Sequence, residues 1–293
     1  MPGRPGMAGR PKLRHTDGML IAGAVCPHPP LLIPAALGAA GSDPPGELRK
    51  VAAAAARAVA GLAEARPDLV VVVGGGAAER EYGSDAAGGL HAFGVEVTIG
   101  AGEPVLPLSL TVGRWLLERA GILARGAVPD QAAELAGAAA GPGAAGALPA
   151  AGPAAEGAGP GRAPVVFQEV PRHAAAGDCL KLGRILADRA RRVALLAMGD
   201  SCARPAREAP GAPDPAAQDY DEEVAEALAA ADARWLARLD PARDDELVVA
   251  GRVAWQVLAG AAGGRRMDGR LLCMSAPYGV TYLVASWEEA RTG

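Results

Sequence analysis

The chain has 293 residues, half of them hydrophobic but only 3% aromatic, and a formal net charge of −4 at pH 7. That length allows one large α/β domain, and a core so poor in rings has to be filled by many small aliphatic side chains. A pI near 5.7, with arginines clustered no further than pairs such as Arg191-Arg192 and Arg265-Arg266, gives no electrostatic footprint for nucleic acid.

Cys26, Cys179, Cys202 and Cys273 lie far apart with no C-x-x-C pair, so neither a zinc ribbon nor a disulfide framework fits the spacing. Reduced thiols in a cytoplasmic protein are the expectation. Residues 1–18 carry Pro, Gly and basic residues without the apolar stretch of a secretory leader. No run approaches the roughly twenty consecutive apolar residues of a membrane span, so no membrane partner is expected.

In chain order, residues 1–18 read as a disordered tail and Met19 to Val25 as a buried strand that stops at Cys26-Pro27-His28-Pro29-Pro30. Glu47 to Ala65 is rich in helix formers and ends before Arg66-Pro67. The β-branched run from Asp68 to Gly76 ("DLVVVVGGG") has the pattern of a strand buried on both faces. Phe93 to Ile99 alternates like a half-buried strand, and Leu108 to Ala120 is helical in spacing. Gly137 to Ala163 is almost wholly Ala, Gly and Pro; it cannot bury enough surface to offset its ordering entropy and is expected to be a flexible insert. Beyond it come a strand at Val165–Val170, a helix at Ala176–Ala190 and a buried strand at Arg192–Asp200. A Pro-rich loop follows (Pro205–Gln218), then helices at Asp219–Ala230 and Asp244–Ala262. "LLCMSAPYGVTYLVASW" gives two strands around Pro277-Tyr278-Gly279, an antiparallel hairpin. The alternation predicts a single α/β/α sandwich over residues 19–288, with a mostly parallel, mixed central sheet and a C-terminal β-hairpin.

In open α/β sheets ligands sit beyond the carboxyl ends of the strands. Three predicted strands deliver polar or glycine-rich turns there: Pro27-His28-Pro29, Gly74-Gly75-Gly76 and Gly199-Asp200-Ser201-Cys202. His28, held between prolines, is either a metal ligand or a turn histidine bonded to backbone. The glycine triplet lacks the spacing of a dinucleotide or P-loop motif and reads as a tight turn. Asp200 either caps a turn or orients a neighbour, and Cys202 is either a nucleophile or an inert small residue. His91 and His173 read as solvated loop residues, and His15 falls in the tail. Asp219, Asp221, Glu222 and Glu223 read as an acidic helix opening that suits the helix dipole. Trp255 and Gln256 are placed at a helix interface.

Taken in order, "AVCPHPPLLIP", "LLAMGD", "DYDEEVAEALAAAD", "GRVAWQVLAGAA" and "APYGVTYLVASW" resemble the class III extradiol ring-cleavage dioxygenases, the LigB-type superfamily that also holds Memo-like proteins. The likeness spans about residues 19–288 apart from the insert, and is greatest to the actinobacterial branch of LigB-like proteins. It implies Fe(II) held by two histidines and a glutamate, a further acid/base histidine, and a small aromatic catechol as ligand. His28 matches the first iron ligand. The place of the second, after "VVVVG", holds Gly75, Gly76 and Ala77, and Ala203 stands where the acid/base histidine would close the "Gly-Asp" motif. Gly251, Arg252 and Val253 occupy the neighbourhood of the glutamate, with Glu246 the nearest carboxylate. Neither glycine nor alanine can coordinate through a side chain. Any replacement would come from His91, Glu79, Glu81, Asp200 or Cys202. The expectation is therefore a dioxygenase-like protein with a degenerate site: His28 as metal residue, Asp200 and Cys202 as catalytic candidates. The alternatives are a non-enzymatic binding or scaffold module, alone or as a homo-oligomer or with a protein partner, and a hydrolase or transferase built on His28, Asp200 and Cys202.

Overall fold

The computed structural model describes residues 18–37, 46–124, 162–203 and 215–290. Its strands are β1 (Leu20–Cys26), β2 (Leu69–Gly76), β3 (Arg80–Tyr82), β4 (Ala87–Gly89), β5 (Thr98–Ile99), β6 (Pro104–Leu106), β7 (Val165–Pro171), β8 (Val193–Met198), β9 (Met267–Ser275) and β10 (Tyr282–Glu289). Its helices are α1 (Gly46–Glu64), α2 (Leu108–Arg119), α3 (Ala176–Ala187), α4 (Pro215–Ala229), α5 (Ala233–Leu236), α6 (Pro241–Leu247) and α7 (Arg252–Ala262).

A seven-stranded sheet runs in the order β3-β7-β2-β8-β1-β10-β9, and β5-β4-β6 form a small satellite sheet. β7, β2, β8 and β1 are mutually parallel, while β3 and the β9–β10 hairpin close the two edges antiparallel. This is the mixed α/β sandwich with a terminal hairpin that the alternating elements predicted. β1, β2 and β8 are buried on both faces and read as runs of small apolar residues, whereas β7 carries Gln168 and Glu169. One face of the sheet (Val71, Val73, Leu195, Ala197) packs under α3, α4 and α7. The other (Val70, Val72, Leu196, Ala24) packs under α1 and α2.

With few rings to fill the layers, close backbone approach replaces bulk. At Gly183 on α3 a Cβ would lie 2.1 Å from the Val257 carbonyl, and at Gly260 on α7 a Cβ would lie 2.3 Å from the Leu180 carbonyl. Each helix therefore presents glycine to the other's backbone, and any larger residue there would push the pair apart.

Two predicted elements come out differently. Of Phe93–Ile99 only Thr98–Ile99 is strand; His91–Phe93 makes a 3-10 turn that Gly94 ends at φ 72°. The single helix predicted over Asp244–Ala262 is two, because α6 ends at Val248 in the left-handed region (φ 57°) and α7 begins at Arg252. The β-branched pair Val248-Val249 and the following Gly251 disfavour continuation, and Ala250 N–H instead donates to the Asp200 carbonyl at 3.1 Å. Helix α4 starts at Pro215, inside the predicted Pro-rich loop. The short elements β3, β4, β6 and α5 were not predicted. Residues 1–17 of the predicted tail, the predicted insert as far as residue 161, and the stretch 204–214 lie outside the described residues.

Candidate functional site at the carboxyl edge of the sheet

Since β1, β8 and β2 are adjacent and parallel, their three carboxyl-end turns meet at one edge. The ladder continues one step past the strands, with Gly199 N–H donating to the Cys26 carbonyl at 3.0 Å. This fixes Asp200 beside the turn that carries His28. Asp200 Oδ1 accepts the His28 backbone N–H at 2.7 Å and lies 3.6 Å from His28 Nδ1. The imidazole is 9% exposed, and Nδ1 is buried with no hydrogen-bond partner. Asp200 thus acts on His28 in two ways: it pins the backbone of the proline-bounded turn, and it places a carboxylate next to the ring.

The hairpin completes this edge. Thr281 N–H donates to the Cys202 carbonyl and its carbonyl accepts from Ser201 N–H, both at 2.9 Å. Tyr282, the first residue of β10, is buried beside this clamp, while Tyr278 at the turn is half-exposed. Burial first, then Asp200 and Tyr278, push the Tyr282 hydroxyl well above its ordinary range, so it stays protonated.

Behind Asp200 the chain packs backbone on backbone. A Cβ on Gly199 would sit 2.2 Å from the Gly251 Cα, and one on Gly251 would sit 2.2 Å from the Trp255 ring. The break between α6 and α7 is what brings Gly251 this close.

At the end of β2, where the second histidine would stand among Gly75, Gly76 and Ala77, a carboxylate packs against Gly76 and Ala77. Glu169 on β7 accepts from Ala77 N–H at 2.6 Å, Ala78 N–H at 3.1 Å and the Tyr82 hydroxyl at 2.7 Å. A Cβ on Gly76 would lie 2.1 Å from the Glu169 carboxylate. Burial pushes this carboxyl up, but the Tyr82 hydroxyl, the two N–H groups and Arg80 outweigh it and hold it below its usual value. The carboxylate is engaged by protein donors, and the glycine is the room it needs.

Cys202 turns away from His28 into the core under α4 and is buried. Its backbone N–H and the Ser201 hydroxyl both donate to Asp221 Oδ1. Burial, followed by the charge of Asp221, pushes its thiol far above the ordinary range, the opposite of an activated nucleophile. Native protein treated with iodoacetamide is therefore expected to alkylate first at Cys273, the one thiol that is not fully buried. Peptide mapping that found Cys202 modified first would contradict this placement.

Asp221 is a residue that the sequence pattern misplaces. With α4 starting at Pro215, Asp221 lies on its buried face with Ala217, Tyr220, Val224 and Leu228. It anchors the turn after β8 instead of serving the helix dipole. A carboxylate on an apolar helical stripe was the available signal. Next to it, Asp244 accepts from the Tyr220 hydroxyl at 2.6 Å and meets Arg252 Nε at 2.9 Å. The Arg252–Asp244 contact is electrostatic rather than a well-directed hydrogen bond, since Asp244 Oδ2 receives no aligned donor. Arg252 also donates to the carbonyls of Ala174 and Arg172 and to Gln256 Oε1, each at 2.9 Å. His91 and His173 lie on the surface, within 3.5 Å of Glu96 and Asp245 respectively.

Fe(II) in a two-histidine, one-carboxylate set needs three side chains converging with open positions between them. His28 contributes an imidazole, Glu169 is engaged by three donors, and position 203 is alanine. No group of three His, Cys, Asp or Glu placed to hold a metal ion occurs among the described residues. The described residues do not fit that iron site.

No family model matches the sequence, and no curated protein does. Among solved structures, that of an uncharacterized protein from Escherichia coli K12 aligns over 92% of this chain and 99% of that one, at 13% identity and a TM-score of 0.40. What fold and site define together is a class: a three-layer α/β/α protein with a His–Asp pair at the carboxyl edge of its parallel strands. No helix among the described residues is long and apolar enough to cross a membrane.

Proposed function

We propose that the chain is a class III extradiol ring-cleavage dioxygenase of the LigB type in ancestry, and that it works as a small-molecule binding protein without iron-dependent ring cleavage. The order of its motifs supports the ancestry, and His28 stands at the strand end where that resemblance puts it. One observation carries the loss of iron chemistry: the places of the second ligand and of the acid/base histidine hold Gly75, Gly76, Ala77 and Ala203, none with a coordinating side chain, and the nearby Glu169 carboxylate is engaged by three protein donors. The retained feature is the buried imidazole beside Asp200, a polar corner at the usual ligand position of an α/β sheet.

The resemblance makes a small aromatic the first ligand class to test, in a cytoplasmic protein. A hydrolase or transferase using Cys202 has less support, because the thiol faces the core and is held protonated. The test is ligand-observed and protein-observed NMR with catechol, alongside oxygen-consumption assays on iron-reconstituted protein. Binding that perturbs His28 without oxygen uptake supports the reading. Oxygen uptake with ring opening, abolished by His28→Ala, would overturn it.

A further inference from the structure

We infer that the chain forms a two-fold homodimer by pairing the β9 edge of its sheet with the same edge of a second copy, centred on Gly269. Among the described residues β9 ends the seven-stranded sheet and is paired with β10 alone. The direction of its backbone groups follows from the last rung of the hairpin, where Ala290 N–H donates to the Arg266 carbonyl. Antiparallel ladders alternate, so Arg266, Asp268 and Arg270 turn their backbone groups toward β10, while Met267, Gly269 and Leu271 turn theirs outward. A strand edge of this kind is a template for another strand. Leu271, Leu272, Cys273 and Met274 form an apolar run along it in which no residue is fully buried, and Met274 is 42% exposed.

Charge selects a second copy as the partner. Asp268 and Arg270 are both exposed and, two residues apart on a strand, stand on the same face. In an antiparallel pair centred on Gly269, each Asp268 faces the partner's Arg270, and each Met267 faces the partner's Leu271. This register also sets outward-turned backbone groups against one another, whereas a one-residue slip would not. Centring on Leu271 would keep that match but set Asp268 against Met274 and Arg270 against Leu272, so charge favours Gly269. Leu272, the extra residue of the bulge opposite Val284 and Ala285, limits the ladder beyond that point. An edge guarded by lysines repels its own kind; this one is complementary to itself. Gly269 lies level with Gly23 across Trp287, so the seam is remote from the His28 turn and independent of what binds there.

The test is sedimentation of the full chain at concentrations up to about 100 μM, beside the charge reversals Asp268→Arg and Arg270→Asp. The parent chain is expected to show a monomer–dimer equilibrium that salt weakens. Each reversal replaces two attractive cross-strand pairs by two repulsive ones and should weaken self-association at least roughly tenfold. Mixed together, the two variants should form a heterodimer, because both arginines of one then face both aspartates of the other. A chain carrying both reversals keeps the complementarity and should dimerise like the parent, which separates a lost seam from a lost fold. A parent chain that stays monomeric throughout, a dimer indifferent to both single reversals, or single variants that fail to associate when mixed would overturn the inference.

Discussion

Asp244→Ala is expected to unfold with about 3–5 kcal/mol less stability than the parent chain near neutral pH, the usual cost of stranding one partner of a buried ion pair. The change leaves the Arg252 guanidinium, 3% exposed, without its counter-charge and the Tyr220 hydroxyl without its acceptor. Asp244→Asn keeps an acceptor for Tyr220 but also removes the charge facing Arg252, so it should recover only the Tyr220 share of that loss. Both variants remove the titrating carboxyl, so both penalties vary with pH in the same way. Burial raises the Asp244 carboxyl from 3.8 to about 6, against the pull of Tyr220 and Arg252. The folded protein thus binds this proton more tightly than the unfolded chain, and the carboxyl's contribution to stability falls as pH rises through that window. The penalty of Asp244→Asn should therefore be smallest above about 6 and grow as pH is lowered toward 3.8. Urea unfolding at a series of pH values checks both statements. A penalty that shrinks on acidification would show that Asp244 is held ionised by Arg252 instead.

Trp255→Ala should be comparably severe, at about 3–5 kcal/mol, since it empties a fully buried indole from the middle of α7. The ring fills the space left by Gly251, which in turn lies against Gly199, so the loss reaches the backbone that carries Asp200. Trp255→Phe should cost far less. The indole Nε1 is buried without a partner, so removing it forfeits no hydrogen bond and relieves an unsatisfied donor. Trp287 makes the useful contrast: its indole donates to the Leu228 carbonyl at 2.8 Å, so its Phe variant loses a real bond. Denaturation of the two Phe variants side by side should rank Trp287→Phe as the more damaging. The reverse order would mean that Trp255 is held by something other than packing.

The strands and most helices were legible because they rest on local pattern. "LVVVV" and "VALLAM" are continuous aliphatic runs, and α1 repeats its apolar positions at helical spacing. The break at Val248 was not legible, because it is set by contacts across the fold: Ala250 N–H to the Asp200 carbonyl, and Gly251 against Gly199. The short strands β3, β4 and β6 likewise depend on partners remote in sequence.

The site was legible only in part. His28 and Asp200 both stood out at strand ends, yet only the β1–β8 pairing shows that they meet. Cys202 stood two residues from Asp200 and still faces the other way, into the core under α4. Glu169 gave no signal at all, since a glutamate inside a strand reads as an exposed residue until Gly76, Ala77 and Tyr82 are folded around it.

Iron stoichiometry tests the central claim most directly. The chain and its His28→Ala variant would be purified without oxygen, offered Fe(II), freed of loose metal and measured by elemental mass spectrometry. Iron far below stoichiometric is expected in both, because Gly75, Gly76, Ala77 and Ala203 offer no side chain to complete a ligand set with His28. Near-stoichiometric iron in the parent chain that disappears in His28→Ala would contradict it.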